Sequence, residues 1–229
     1  MLLAALAVVI DRAGEAVAAH VLAGKLQTDE HLPSRPAVSI RGLPFVTQAA
    51  HGFYKDVSVV ADNFVTVDGV QLNSLKVHLR GVHIPLSRVV RGSVSQVPVD
   101  QVDGTAFISF DQLASYFASR QISVTFARTA TGGLTVFDQL HAGSLVVSAA
   151  GSAVVSVANN VIQINVARLT PFDKGSKVSN SAVLPHVARL NLTVPLGVLP
   201  FRIQIHTVSV TLAGISGTGS ASNVVLGGK

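Results

Sequence analysis

Apolar residues recur along this chain with two different periods, and the change from one to the other divides it. From Asp11 to about Thr28, Ala13, Val17, Val21 and Leu22 return at helical spacing, with Glu15, His20 and Lys25 between them. The pattern predicts a helix, slim because it is rich in alanine. Pro33 and Pro36 forbid its continuation and set an extended approach to a first strand. Beyond residue 36 the period is mostly two. Val57, Val59 and Ala61 alternate with Ser58, Val60 and Asp62; a turn at Asp68-Gly69 follows; Leu75, Val77 and Leu79 then alternate with Lys76, His78 and Arg80. One face is apolar and the other basic and wet, as in a sheet covered on one side.

Later segments repeat the alternation: Ile122, Val124 and Phe126; Leu134 and Val136; Ile162, Ile164 and Val166; Phe201, Ile203 and Ile205. Asn159-Asn160 predicts a hairpin turn. At Thr207 the phase slips, because Val208, Val210 and Leu212 continue the opposite row, which predicts a bulge. Two stretches interrupt the strands. Residues 110–120 carry Phe110, Leu113, Ala114 and Phe117 on one stripe, with Asp111 near the start and Arg120 at the end to suit the helix dipole, and predict a short second helix. Residues 85–98, with Arg88 and Arg91 flanking Val89 and Val90, read as a loop or short helix that is either solvated or in contact with a membrane. The longest irregular segment is 169–186. The apolar turn at 194–200 has to pack or meet lipid.

The stretch from Pro33 to Tyr54 connects the two regimes. Val38 and Ile40 alternate with Ser39 and Arg41, the strand breaks at Gly42, the chain restarts at Leu43-Pro44-Phe45, and a second strand follows His51-Gly52. It specifies a bend where a strand, an aromatic anchor and the first helix meet.

Composition sharpens this picture. Hydrophobic residues make up 48% of the 229 and charged residues only 13%, against about 25% charged in ordinary globular domains. The excess of apolar surface points to an internal cavity, a membrane-facing surface or a thick valine-rich core. The formal charge of +5 is mild, without a basic run, and two tyrosines with no tryptophan make no stacking platform, so nucleic acid is not an expected partner. The mild charge is compatible with anionic headgroups. Cysteine is absent, which excludes thiol catalysis, disulfides and cysteine-ligated zinc. Residues 1–10 form the longest apolar run, short of the roughly 20 residues that span a bilayer. The run reads as the remnant of a signal or anchor helix, or as the first turns of the core helix; residues 11–229 read as one domain.

No catalytic pattern emerges. G-x-S-x-G and H-E-x-x-H are both missing. His78 and His83, five apart, are expected on opposite faces of a strand, and Asp100 and Asp103 are expected to diverge likewise. No metal site and no cofactor are expected, and the chain reads as no enzyme.

The residues L-P-x-R-P-x-V-x-I-x-G-x-P-F-x-T-Q from Leu32 to Gln48, then Gly52-Phe53-Tyr54 and Val57, resemble the actinobacterial LmeA-like family of exported phospholipid-binding proteins. The likeness continues through residues 82–87, 100–109 and Leu199-Pro200-Phe201. It implies an α+β fold of the tubular lipid-binding kind: a strongly curved antiparallel sheet wrapped around a long N-terminal helix, with a short second helix, enclosing an apolar tunnel. It also implies phospholipid binding, anionic phosphatidylinositol for example, in the cell envelope, periplasmic or membrane-associated, in support of lipid transport or of the synthesis of mannosylated lipids such as lipomannan. On this reading Phe45, Phe53, Phe107, Phe117, Phe126, Phe137 and Phe201 line the cavity, and Arg88 or Arg91 contacts a headgroup or the membrane. The alternative for each phenylalanine is ordinary core packing. The other functional readings are a scaffold that stabilises an envelope glycosyltransferase through residues 85–98 and, more remotely, a lipid esterase with an unusual serine.

Overall fold

A computed structural model describes residues 2–30, 32–42, 44–85, 87–88, 91, 96–142, 145–171 and 190–227. The 28-residue helix α1 (Leu2–Asp29) is followed by β1 (Ala37–Arg41), helix α2 (Phe45–His51), β2 (Phe53–Val65), β3 (Gln71–His83), β4 (Val97–Ser109) and helix α3 (Phe110–Ala118). Then come β5 (Val124–Arg128), β6 (Leu134–Ala142), β7 (Leu145–Ala158), β8 (Val161–Pro171), β9 (Leu192–Pro195), a 3-10 turn (Pro200–Arg202), β10 (Gln204–Val210) and β11 (Gly214–Leu226). The irregular segment read at 169–186 falls, from 172 on, outside the described residues, as do Val89 and Val90.

The chain is α+β, but the strands build two antiparallel sheets where one was expected. A six-stranded sheet in the order β1-β2-β3-β4-β11-β10 curls into a half-barrel, and a five-stranded sheet runs β5-β6-β7-β8-β9. The split falls at Ser109. Its backbone is still extended, and its hydroxyl accepts the Gln112 N–H at 3.3 Å, so it caps α3 and turns the chain out of the first sheet. The sheets meet again where β10 packs against β7.

The alternation changes phase in four neighbouring strands at the same place. In the middle of the six-stranded sheet the buried residues are Val57 and Val59 on β2, Leu75, Val77 and Leu79 on β3, and Val102 and Ala106 on β4. Towards one end the buried residues are instead Tyr54, Val82, Val99 and Val224, which stand in register with one another, while the next row inward is Asp56, Arg80, Gln101 and Ser222. The slip is concerted, so hydrogen-bonded register is kept across it. Gly81 (φ +64°) and Asn223 (φ +52°) supply the left-handed backbone it needs, on either side of Asp100. The result is a crease across the sheet with an apolar inner face on both sides. The crease overturns two expectations. His78 and His83 share the outer face, where they meet Asp56 (3.4 Å) and Asp100 (3.2 Å). Asp100 and Asp103 share it too, Asp103 pairing with Arg80 at 3.2 Å.

The register of β10 on β11 shifts between Ile205 and Thr207, so the expected bulge is present. Asn159 and Asn160 both take left-handed φ in the β7–β8 turn. The alternation of Phe201, Ile203 and Ile205 does not make one strand. Phe201 and Arg202 have φ of 60° and 56°, which turns the chain before β10 begins at Gln204.

The bend after Gly42 contains a helix that the apolar pattern does not announce. Pro44 precedes α2 without a side-chain cap, and Asp11 on α1 supplies one: its Oδ1 accepts the Val46 N–H at 2.8 Å. The Val46 and then the Phe45 peptide N–H groups hold the Asp11 carboxyl below the usual carboxylate range, against the opposing effect of burial. Gln48 of α2 donates to the carbonyls of Arg41 and Gly42 and accepts the Lys55 N–H at 3.0 Å, tying the end of β1 to the start of β2.

Candidate lipid site beneath helix α1

The site follows from how α1 lies on the half-barrel. Its most extensive backbone neighbours are β1 and α2. Besides the Asp11 cap, Arg35 donates to the His20 carbonyl at 2.6 Å, and Gly14 faces the Phe45 ring so closely that a Cβ there would sit 3.3 Å from it. The following turns, with Leu22 and Leu26, cross instead over the creased end of β3, β4 and β11. There they face Leu79, Val82, Ile84, Val97 and Leu226 across an apolar cavity of about 20 Å³. That is room for about one water molecule. Among the described residues no helix is long and apolar enough to cross a membrane.

An open crevice of about 590 Å³ adjoins this cavity at the C-terminal end of α1. It shares Asp29, Glu30, Leu226 and Gly227 with the cavity and adds Val198, Leu199, Phe201 and Arg202. Its size lies within the range of about 300–1,000 Å³ that small-molecule sites occupy. Val198 at its rim is 79% exposed, whereas Leu196, Leu199 and Pro200 of the same apolar turn are buried. Glu30 accepts the Phe201 N–H at 3.0 Å, which fixes the strained turn against the helix end.

The seven phenylalanines do not converge. Phe45 is buried against Tyr54, with ring centroids 6.0 Å apart. Burial pushes the Tyr54 phenol pKa up, and its hydroxyl has no hydrogen-bond partner among the described residues. Phe53 is half-buried beside the His83 ring at 5.0 Å. Phe117 and Phe126 pack together at 6.0 Å beneath α3. Phe107 is half-buried on the face of β4 that carries Asp103 and Thr105, and Phe137 is half-buried beside α3 in an open groove of about 650 Å³. Phe201 alone among the seven lines the crevice. Arg88 and Arg91 are exposed in the connection from Ile84 to Val97, both of which line the inner cavity. Sequence reasoning missed Arg202, an isolated arginine whose position depends on two consecutive left-handed residues.

The sequence profile of the LmeA-like phospholipid-binding family matches residues 9–220. The chain belongs to that family, which is one of phospholipid binders and not of enzymes. No match was found among curated proteins or among solved structures.

Proposed function

We propose that this protein binds an anionic phospholipid such as phosphatidylinositol with its acyl chains between α1 and the creased end of the half-barrel. The supporting observation is that the crevice adjoins the apolar cavity under Leu22 and Leu26, with Asp29, Glu30, Leu226 and Gly227 lining both. Loading requires the C-terminal turns of α1 to lift, which widens the cavity into a tunnel. Beyond His20 those turns rest on apolar contacts and, at their end, the Glu30–Phe201 hydrogen bond, while α1 up to His20 is tied to α2 and Arg35 by hydrogen bonds. Each methylene taken out of water contributes about 0.8 kcal/mol, so partial burial of a chain is enough to hold it. Exposed Arg88 and Arg91 then contact the membrane that supplies the lipid.

On this reading the protein is exported and works in the cell envelope, carrying lipid for transport or for the synthesis of mannosylated lipids. The scaffold reading assigns the same exposed arginines to an envelope glycosyltransferase. Native mass spectrometry of protein purified from cells tests the proposal. A copurifying phospholipid, exchangeable for added phosphatidylinositol, is expected. Protein that carries no lipid and takes up none contradicts it.

A further inference from the structure

A polar groove of about 570 Å³ adjoins the crevice, and Arg202 lines both. On the groove side it is joined by Asp100, Gln101, Gln204, Ser222 and Asn223. Along β11 the lining therefore changes in order. Ser222, Asn223 and then Val224 line the groove, Val225 lies in the crevice, and Leu226 belongs to both crevice and inner cavity. A phospholipid has the same order of chemistry: headgroup, phosphodiester, then acyl chains. Arg202 stands where the phosphodiester falls.

Three features single out Arg202. It is exposed, and among the described residues its side chain makes no ion pair or hydrogen bond, so its guanidinium is open to a bidentate oxyanion. Its backbone and that of Phe201 are both left-handed, an unfavourable pair for residues other than glycine. That pair buries Phe201 in the crevice wall while leaving Arg202 outside, and Glu30 holds it from the helix. The groove itself offers carboxylate, amide and hydroxyl groups, which can both donate to and accept from a polyhydroxylated ring. Its lining has no phenylalanine, tyrosine or tryptophan, so it lacks the cage that a quaternary ammonium group prefers.

We infer that the groove is the headgroup site: Arg202 binds the phosphodiester, and Gln101, Ser222 and their neighbours bind a polyol headgroup in preference to choline. This rests on the phospholipid reading above. The test is equilibrium binding of the full chain to dioctanoyl phosphatidylinositol, phosphatidic acid and phosphatidylcholine, and to a soluble inositol phosphate without acyl chains. Arg202→Gly removes the guanidinium and relieves the left-handed backbone, so its melting temperature is expected to be unchanged or raised. It is expected to weaken phosphatidylinositol and phosphatidic acid at least tenfold, and Lys76→Ala, the same charge change on the outer face of β3, neither. Gln101→Ala with Ser222→Ala is expected to weaken phosphatidylinositol alone. If wild type binds phosphatidylinositol and Arg202→Gly binds it equally well, the headgroup site is wrong and the phospholipid reading stands. If the soluble inositol phosphate binds as tightly as the lipid, the groove is a site for a free phosphosugar and the inference is overturned. If wild type binds no lipid, both readings fail.

Discussion

The side chain of Asn160 accepts the Ile205 N–H at 2.7 Å and thereby fastens the β7–β8 turn of one sheet to the first residues of β10 in the other. The same amide donates to the carbonyls of Gly197 and Ile203 at 3.1 and 3.2 Å, and the Asn160 carbonyl accepts the Leu196 N–H. One residue in left-handed conformation therefore satisfies both sides of the turn that carries Phe201 and Arg202. Asn160→Ala leaves the groups bonded to its side chain without their partner and adds strain at φ 58°. At about 1 kcal/mol for each bond lost, denaturant titration is expected to show a loss of roughly 2–3 kcal/mol. An unchanged midpoint would mean that the sheets are held together elsewhere.

Asp11 makes stability depend on pH at the acid end. Its folded-state pKa is lowered by the N–H groups of Val46 and Phe45, so its contribution is present above the unfolded value near 4 and is lost as pH falls through the folded one. Asp11→Asn is expected to be less stable than wild type at pH 7, with the gap closing as the pH is lowered below about 4. Urea titrations of both proteins across that interval check it. A gap independent of pH would place the effect in packing and not in the carboxylate.

Gly81 is the hinge of the crease on β3. A Cβ there would collide with the Asp100 carboxylate, and the positive φ is unfavourable for any side chain. Gly81→Ala is expected to cost on the order of 1–3 kcal/mol in denaturant. A neutral effect would show that the sheet can bend without this backbone.

Phe45 marks the framework beside the site. Its ring is buried between Gly14 and Tyr54, on the half of α1 that stays anchored. Phe45→Ala is expected to cost about 3–5 kcal/mol of stability while lipid affinity of the remaining folded protein is nearly kept. Loss of affinity at an unchanged melting temperature would move the lipid towards α2.

Much of this architecture is legible in the sequence because local rules decide it. The helix before Pro33, the Asn159-Asn160 turn, the helix at Phe110 and the slip before Thr207 each follow from a few adjacent residues. The crease is not, because a phase change such as Leu79 to Val82 reads as an ordinary strand end until its neighbours are known to change at the same row. Helix α2 is hidden for a related reason: its cap, Asp11, lies 35 residues away from Val46. Of the site, the apolar excess of the composition points towards lipid, but the phenylalanines are poor guides. Large aromatics are buried wherever a core needs filling, and here they serve several separate clusters. Arg202 depends on a backbone turn fixed by Glu30 and Asn160, and neither contact has a signature in the sequence.

In the proposed complex the acyl chains lie between α1 and the creased end of the half-barrel. Photolabelling with a phosphatidylinositol carrying a diazirine in its acyl chain, followed by peptide mapping, measures this directly. Adducts are expected on residues 22–29 of α1 and on Glu30, on Val82, Ile84 and Val97, and on Val225 and Leu226. Adducts confined to the groove beside α3, on Phe137 and its neighbours, with none on α1, would contradict the account.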